Sequence, residues 1–184
     1  MLSFFFYFTI AVVFIIIFIF ASPQLSPIPY FPSQLIDLPL IIKSLNIRND
    51  QIIIDLGAGD GIIIFEAASF AYKKKLNTQF VAVEINPILI FVLHSRRLFH
   101  SNRNNIKIVR DDIFKIKVSK HGIVKHLNRL TVYLYISPWH LEKTVSNIKK
   151  QVNKFSTVSY MYSIKSLKDK EKIILGKNKI YIYP

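Results

Sequence analysis

The run Ile52-Ile53-Ile54-Asp55-Leu56-Gly57-Ala58-Gly59-Asp60-Gly61 leaves this chain few folds to choose from. A β-branched stretch that breaks into alternating glycines describes a buried parallel strand turning sharply into a helix beneath a ligand. Ile62 to Tyr72 supplies that helix. Gly57, Gly59 and Gly61 open backbone conformations closed to other residues and bring the main chain close to a bound molecule. The helix start behind them offers free N–H groups.

Two classes of cofactor use such a turn, and the spacing separates them. In the dinucleotide fingerprint G-x-G-x-x-G the third glycine would stand at Ile62, but here it comes one place early, at Gly61. Asp55, just before the first glycine, would repel a pyrophosphate and welcome an amino group and a sulfonium. The pattern resembles motif I of the class I S-adenosylmethionine-dependent methyltransferases. The plainer alternative is a buried strand followed by an ordinary glycine turn.

The 184 residues suffice for one domain of ordinary size with an appendage. The formal charge of +14 lies wholly beyond residue 36, since the first charged side chain is Asp37. A basic globular part beside an apolar segment suits an anionic lipid surface. Nucleic acid is the other partner such charge suggests, but no RRM, zinc-finger or helix-turn-helix signature accompanies it, so none is expected. The chain has no cysteine, which excludes disulfides and thiolate chemistry. Its five histidines do not cluster with acids at metal-ligand spacing, so no metal is expected.

Leu2 to Ala21 is an almost unbroken run of Phe, Ile, Val and Leu, long enough to cross roughly 30 Å of hydrocarbon as a helix. A cleaved signal peptide is the rival reading. The absence of a basic leading region and the length of the apolar run favour a single-pass transmembrane anchor over residues 1–21. Every Lys and Arg follows it, which predicts a cytoplasmic globular part. Residues 22–49 form a connector and lead-in helix: five of the eight prolines fall between Ser22 and Pro39, and Leu35 to Leu45 has the pattern of a short amphipathic helix. Within the connector, Pro29-Tyr30-Phe31-Pro32-Ser33 carries two adjacent aromatics that either pack near the cofactor or sit at the membrane interface.

Residues 50–184 are expected to fold as the main domain. Gln79 to Glu84 reads as the second strand, with Glu84 placed to accept both ribose hydroxyls as a bidentate carboxylate. Asn86-Pro87 caps a helix running to about His100. Ile106 to Val109 is a third strand, followed by Asp111-Asp112-Ile113-Phe114, where an acid and apolar residues could hold an adenine ring; either acid could instead cap the next segment. Thr131 to Ile136 is a fourth strand, and Ser137-Pro138 caps a helix with Leu141, Val145, Ile148 and Val152 at helical spacing. Ser137 and Trp139, the sole tryptophan, stand at the strand end where a substrate would sit, although Trp139 could equally be a lid over the sheet. Thr157 to Ile164 reads as a fifth strand, and Glu171 to Leu175 with Lys179 to Tyr183 as a closing hairpin. The sum is a doubly wound, Rossmann-like α/β sheet of seven strands.

With these motifs in place, the chain resembles the membrane-anchored protein-lysine N-methyltransferases that modify the c-ring protein of ATP synthase and the adenine nucleotide translocase. The resemblance rests on the anchor, Pro29-Tyr30-Phe31-Pro32-Ser33, Asp55 to Gly61, Glu84-Ile85-Asn86-Pro87, Asp112-Ile113-Phe114-Lys115 and Ser137-Pro138. It implies S-adenosylmethionine as cofactor, held by Asp55, Gly57, Gly59, Glu84 and Asp112, with Ala58, Asp60, Gly61, Asn86 and Ile113 completing the set. It also implies a protein lysine as acceptor and a Tyr30 to Ser33 segment folded over the site. Tyr30, Ser33, Ser137 and Trp139 are the candidates for the acceptor wall. Met161-Tyr162-Ser163 departs from the family's usual Arg-Phe-Pro. Methylation of a lipid or small membrane-soluble molecule, and a non-catalytic nucleotide-binding module, are the competing expectations.

Overall fold

The computed structural model describes residues 2–22, 25, 31–120 and 129–184. Among them, seven strands form one mixed sheet: β1 (Gln51–Leu56), β2 (Thr78–Glu84), β3 (Ile106–Arg110), β4 (Arg129–Leu134), β5 (Ser156–Tyr160), β6 (Lys172–Leu175) and β7 (Lys179–Tyr183), in the order β3-β2-β1-β4-β5-β7-β6. β1 to β5 are mutually parallel, and β7 runs antiparallel to both β5 and β6. The chain steps outward from β1 to β3 and then returns to the far side of β1 as β4. That reversal opens a crevice at the carboxyl ends of β1 and β4, where open α/β sheets take their ligands.

The helices are α1 (Leu2–Ala21), α2 (Leu38–Ser44), α3 (Ile62–Lys73), α4 (Pro87–Leu98) and α5 (Pro138–Lys149). Every residue of β1 is buried, as a strand covered on both faces requires. Ile52, Ile54 and Leu56 point into a core with Leu141, Val145 and Ile148 of α5, while Ile53 points into the opposite core with Ile41 of α2 and Ile64, Ala67 and Ala68 of α3. The three alanines of α3, counting Ala71, let that helix lie close on the sheet. α1 is apolar along its whole length, exposed over nearly all of it, and long enough to cross a membrane.

Several boundaries differ from the sequence expectation. The lead-in helix divides at Asp37 into a 3-10 turn, Leu35–Asp37, and α2, because Pro39 occupies the first turn of the latter. β5 stops at Tyr160 rather than Ile164, since Met161 adopts a left-handed φ of 70° and its N–H turns to the carbonyl of Lys179. Val152 falls beyond α5. The side chain of Gln151 bonds back to the Asn147 and Ile116 carbonyls at 3.0 and 2.8 Å and closes the helix end.

Candidate functional site

β1 carries Asp55 to the carboxyl end of the sheet and the chain then turns through Gly57, Gly59 and Gly61, all with positive φ. Gly61 shows why no other residue serves: at φ +78° a Cβ would lie 2.4 Å from Leu93 Cδ2 and 2.8 Å from the Phe65 ring. Its place is therefore packing between α3 and α4, beneath the turn. Gly57, Ala58, Gly59 and Asp60 line a pocket, together with Asp55, Glu84, Ile85, Leu89, Asp112 and Ile113. Ile62 and Ile63 of α3, with Phe31, Pro32, Ser33, Tyr133, Tyr135 and Ile136, complete its wall.

The acids behave differently from one another. Glu84 accepts hydrogen bonds from Gly59 N at 2.9 Å through one oxygen, and from Ile85 N and Asn86 N at 2.8 and 2.9 Å through the other. It thereby clamps the glycine turn to the start of α4. A carboxylate has about four acceptor sites, so roughly one is left for a ligand hydroxyl rather than the pair expected from the sequence. Asp60 accepts from Ile62 N at 3.2 Å and forms an ion pair with Arg96 of α4 at 2.9 Å. Asp112 accepts from Phe114 N at 2.8 Å and faces Lys115 at 3.7 Å, so it caps a turn while lining the pocket.

Asp55 stands apart. It is 2% exposed, and among the described residues no donor reaches its carboxylate. Burial pushes its carboxyl well above the usual carboxylate range, and repulsion from Glu84 and then Asp60 adds to the shift. A buried carboxylate left in this condition is costly unless a cation arrives. Tyr133 lies directly opposite it in the β1–β4 register. The Tyr133 hydroxyl is itself driven upward by burial and by Asp55, and stands 3.4 Å from Ser33 Oγ. Phe31, Pro32 and Ser33 line the pocket beside this long contact.

The other residues picked out from the sequence fall as follows. Asn86 is buried outside the lining, where its side-chain oxygen accepts from Ile88 N at 2.9 Å to cap α4. Ser137 precedes α5 and does not line the pocket, and Trp139 stands well exposed beyond it. Tyr30 lies outside the described residues. Tyr133 and Tyr135 are the residues that sequence reasoning passed over. Their signal was the alternation in β4 and just beyond, where Tyr133 and Tyr135 interleave with Val132, Leu134 and Ile136 on the opposite face.

A family model described as PRMT5 arginine-N-methyltransferase matches residues 35–137, more than half of the chain. Two curated relatives align at low identity. A lysine N-methyltransferase from Xenopus laevis, named for the c-ring protein of ATP synthase, is 27% identical over 104 residues, 55% of this chain and 43% of that protein. A probable ribosomal RNA small subunit methyltransferase A from Methanosphaera stadtmanae is 28% identical over 83 residues, 45% of this chain and 28% of that protein. The chain thus spans less than half the length of the curated relatives it matches. Among solved structures, an RNA methyltransferase from Salinibacter ruber in complex with S-adenosyl-L-homocysteine superposes with a TM-score of 0.65 at 17% identity, covering 83% of this chain and 92% of that one. A precorrin-6y C5,15-methyltransferase from Geobacter metallireducens gives 0.56 at 14% identity, covering 83% and 91%. Likeness at such identities is one of fold. Taken with the match over residues 35–137, it means that the chain belongs to the family this arginine-N-methyltransferase model describes, within the class I S-adenosylmethionine-dependent methyltransferases.

Proposed function

We propose that this chain is a membrane-anchored S-adenosylmethionine-dependent methyltransferase whose acceptor is a protein lysine. The observation that carries the cofactor assignment is Asp55, a buried carboxylate with no donor among the described residues, set at the mouth of a glycine turn. The cofactor fits what is missing there, because its amino group and sulfonium bring positive charge to a desolvated acid. In this reading Asp55 meets the cationic end, Glu84 offers its remaining acceptor site to a ribose hydroxyl, and Asp112 with Ile113 holds the adenine. When bound, the cofactor supplies an electrophilic methyl carbon, so that the acceptor nitrogen's lone pair forms the new N–C bond as the C–S bond breaks.

The remaining work belongs to the protein. It aligns the acceptor and excludes water, and the tethered Phe31 to Ser33 segment with Tyr133 and Tyr135 suits both tasks. Lysine is favoured over arginine because a guanidinium stays charged and calls for carboxylates around it. The lead-in and β4 side of the pocket offers aromatic rings and hydroxyls in their place. An amine that has lost its proton is the better guest there. The name of the Xenopus relative supports the same acceptor class. Tyr30, Ser137 and Trp139 stay in the proposed acceptor wall as residues that a docked substrate could meet. The anchor reading rests on α1, and because every Lys and Arg follows it, the globular part is assigned to the cytoplasmic side.

A nucleic-acid acceptor is the second reading, favoured by the ribosomal RNA methyltransferase relative and the +14 charge. Transfer of radiolabelled methyl groups to a cell extract, fractionated into protein, RNA and extractable lipid, decides between them. Label in protein, located on lysine by mass spectrometry, is the expected result. Label confined to RNA or lipid, or located on arginine, would remove the lysine assignment.

A further inference from the structure

The end of the sheet that bears the pocket also bears an unusual surface. Phe31, Leu35, Ile36, Trp139 and Leu175 are each between 64% and 82% exposed. They come from three separate stretches of chain, and the topology brings all three to the carboxyl ends of the parallel strands. Trp139 opens α5 just after β4. Leu175 ends β6 at the turn into β7, beside the top of β5. Leu35 and Ile36 lie against that same turn, for Gln34 Oε1 accepts from Lys177 Nζ at 3.4 Å and Asp37 accepts from the Lys177 and Asn178 amides at 2.6 and 2.9 Å.

The pattern in the 3-10 turn is inside out for a surface that meets only water. Its two apolar residues face outward while its acid, Asp37, is buried. Exposed apolar groups gathered in this way mark a contact surface. The charges around them are basic: Lys177 within the β6–β7 turn and Lys179 at the start of β7 are exposed, whereas Asp60 and Asp112 are matched by Arg96 and Lys115. Finally, the apolar helix α1 ends at Ala21, so nine residues, spanning at most about 35 Å when extended, separate it from Phe31 on the pocket rim.

We infer that this face docks on an anionic bilayer surface, with Phe31, Leu35, Ile36, Trp139 and Leu175 at headgroup depth and the lysines against lipid phosphates and carboxylates. The pocket then opens onto the membrane. An acceptor then meets the pocket at the level of the headgroups, a refinement that rests on the methyltransferase reading above.

The sole tryptophan makes the idea directly measurable. The full chain is reconstituted in nanodiscs of phosphatidylcholine with phosphatidylserine, some carrying brominated acyl chains, and Trp139 emission is followed. Docking predicts a loss of about twofold or more to bromolipid and little quenching by aqueous iodide, with weaker bromolipid quenching in discs lacking phosphatidylserine. The double variant Ile36→Glu/Leu175→Glu should reverse the pattern, exposing Trp139 to iodide. Phe99→Glu, at the exposed residue that follows the C-terminal end of α4, should change nothing. Iodide quenching without bromolipid quenching in the unaltered chain would overturn the proposal, as would a double variant that behaves like it, indifference to phosphatidylserine, or an effect of Phe99→Glu alone. Calorimetry with S-adenosylmethionine on the same discs keeps the two readings apart: docking without cofactor binding strikes the enzyme assignment, and cofactor binding without docking strikes the surface.

Discussion

Asp37 and Asp55 are both shut away from water, at 1% and 2% exposure, yet they are treated in opposite ways. Asp37 accepts from Tyr160 Oη at 2.7 Å, from the amides of Lys177 and Asn178 at 2.6 and 2.9 Å, and from Asn178 Nδ2 at 3.4 Å. Burial alone would raise its carboxyl, but these bonds outweigh burial and hold it below its ordinary value. Asp55 has burial and two neighbouring acids, and among the described residues nothing to offset them. The first is a rivet, joining the lead-in segment to the closing hairpin. The second, in the function proposed above, is a socket for a cation. Burial by itself thus says little about a carboxylate's task, whereas its count of donors says a great deal.

The contrast can be broken most forcefully at Asp37. Asp37→Ala strands the Tyr160 hydroxyl and two amides, and should cost on the order of 3–5 kcal/mol of folding stability in urea titrations. A loss below about 1 kcal/mol would mean that water replaces the carboxylate easily.

Asp55→Asn should act in the reverse sense. Cofactor binding by calorimetry should weaken about 100-fold, equivalent to roughly 2.7 kcal/mol. Meanwhile the ligand-free protein should become more stable by about 1 kcal/mol, because an uncompensated buried charge has gone. Unchanged affinity together with lowered stability would reassign Asp55 to the scaffold.

Acid sharpens the same comparison, and the signs differ. Asp37 has a lowered folded-state value, so its stabilisation is complete above the unfolded value near 3.8 and disappears as pH falls through the folded one. Asp55 has a raised value, so its penalty is absent below 3.8 and grows as pH rises toward its folded value. Urea midpoints of the unaltered chain and the Asp55→Asn variant should therefore converge as pH is lowered from 7 to about 4, while the deficit of Asp37→Ala persists there and shrinks only at lower pH. The smallest effect is expected at Tyr133→Phe. The contact with Ser33 is long, at 3.4 Å, and its loss should weaken cofactor binding by about threefold or less in the same calorimetry.

Much of this was legible in advance, and the reasons are local. Strand runs such as Ile52–Leu56 and Lys179–Tyr183 declare themselves by β-branched and aromatic residues between turn formers, and the glycine turn marks the end of the sheet where the pocket lies. Asn86-Pro87 gave the start of α4 because capping chemistry involves neighbours only. What stayed hidden depends on partners far away in sequence. Asp37, the first charge after a long uncharged stretch, gave no sign that residues 177 and 178 would satisfy it. Glu84 lines the pocket, but three amides use most of its acceptor capacity, and no one-dimensional pattern records that. Tyr133 looked like strand filling until the β1–β4 register set it beside Asp55.

The Asp37 rivet also sets an order of events during synthesis. An acid near the start of the domain is satisfied by amides 140 and 141 positions later. A nascent chain would wait for nearly the whole domain to leave the ribosome before that bond could close, with its leading helix, in the reading proposed above, already held to a membrane. Until then Leu35 and Ile36, which stay exposed even in the finished fold, would stand on a segment not yet fixed in place.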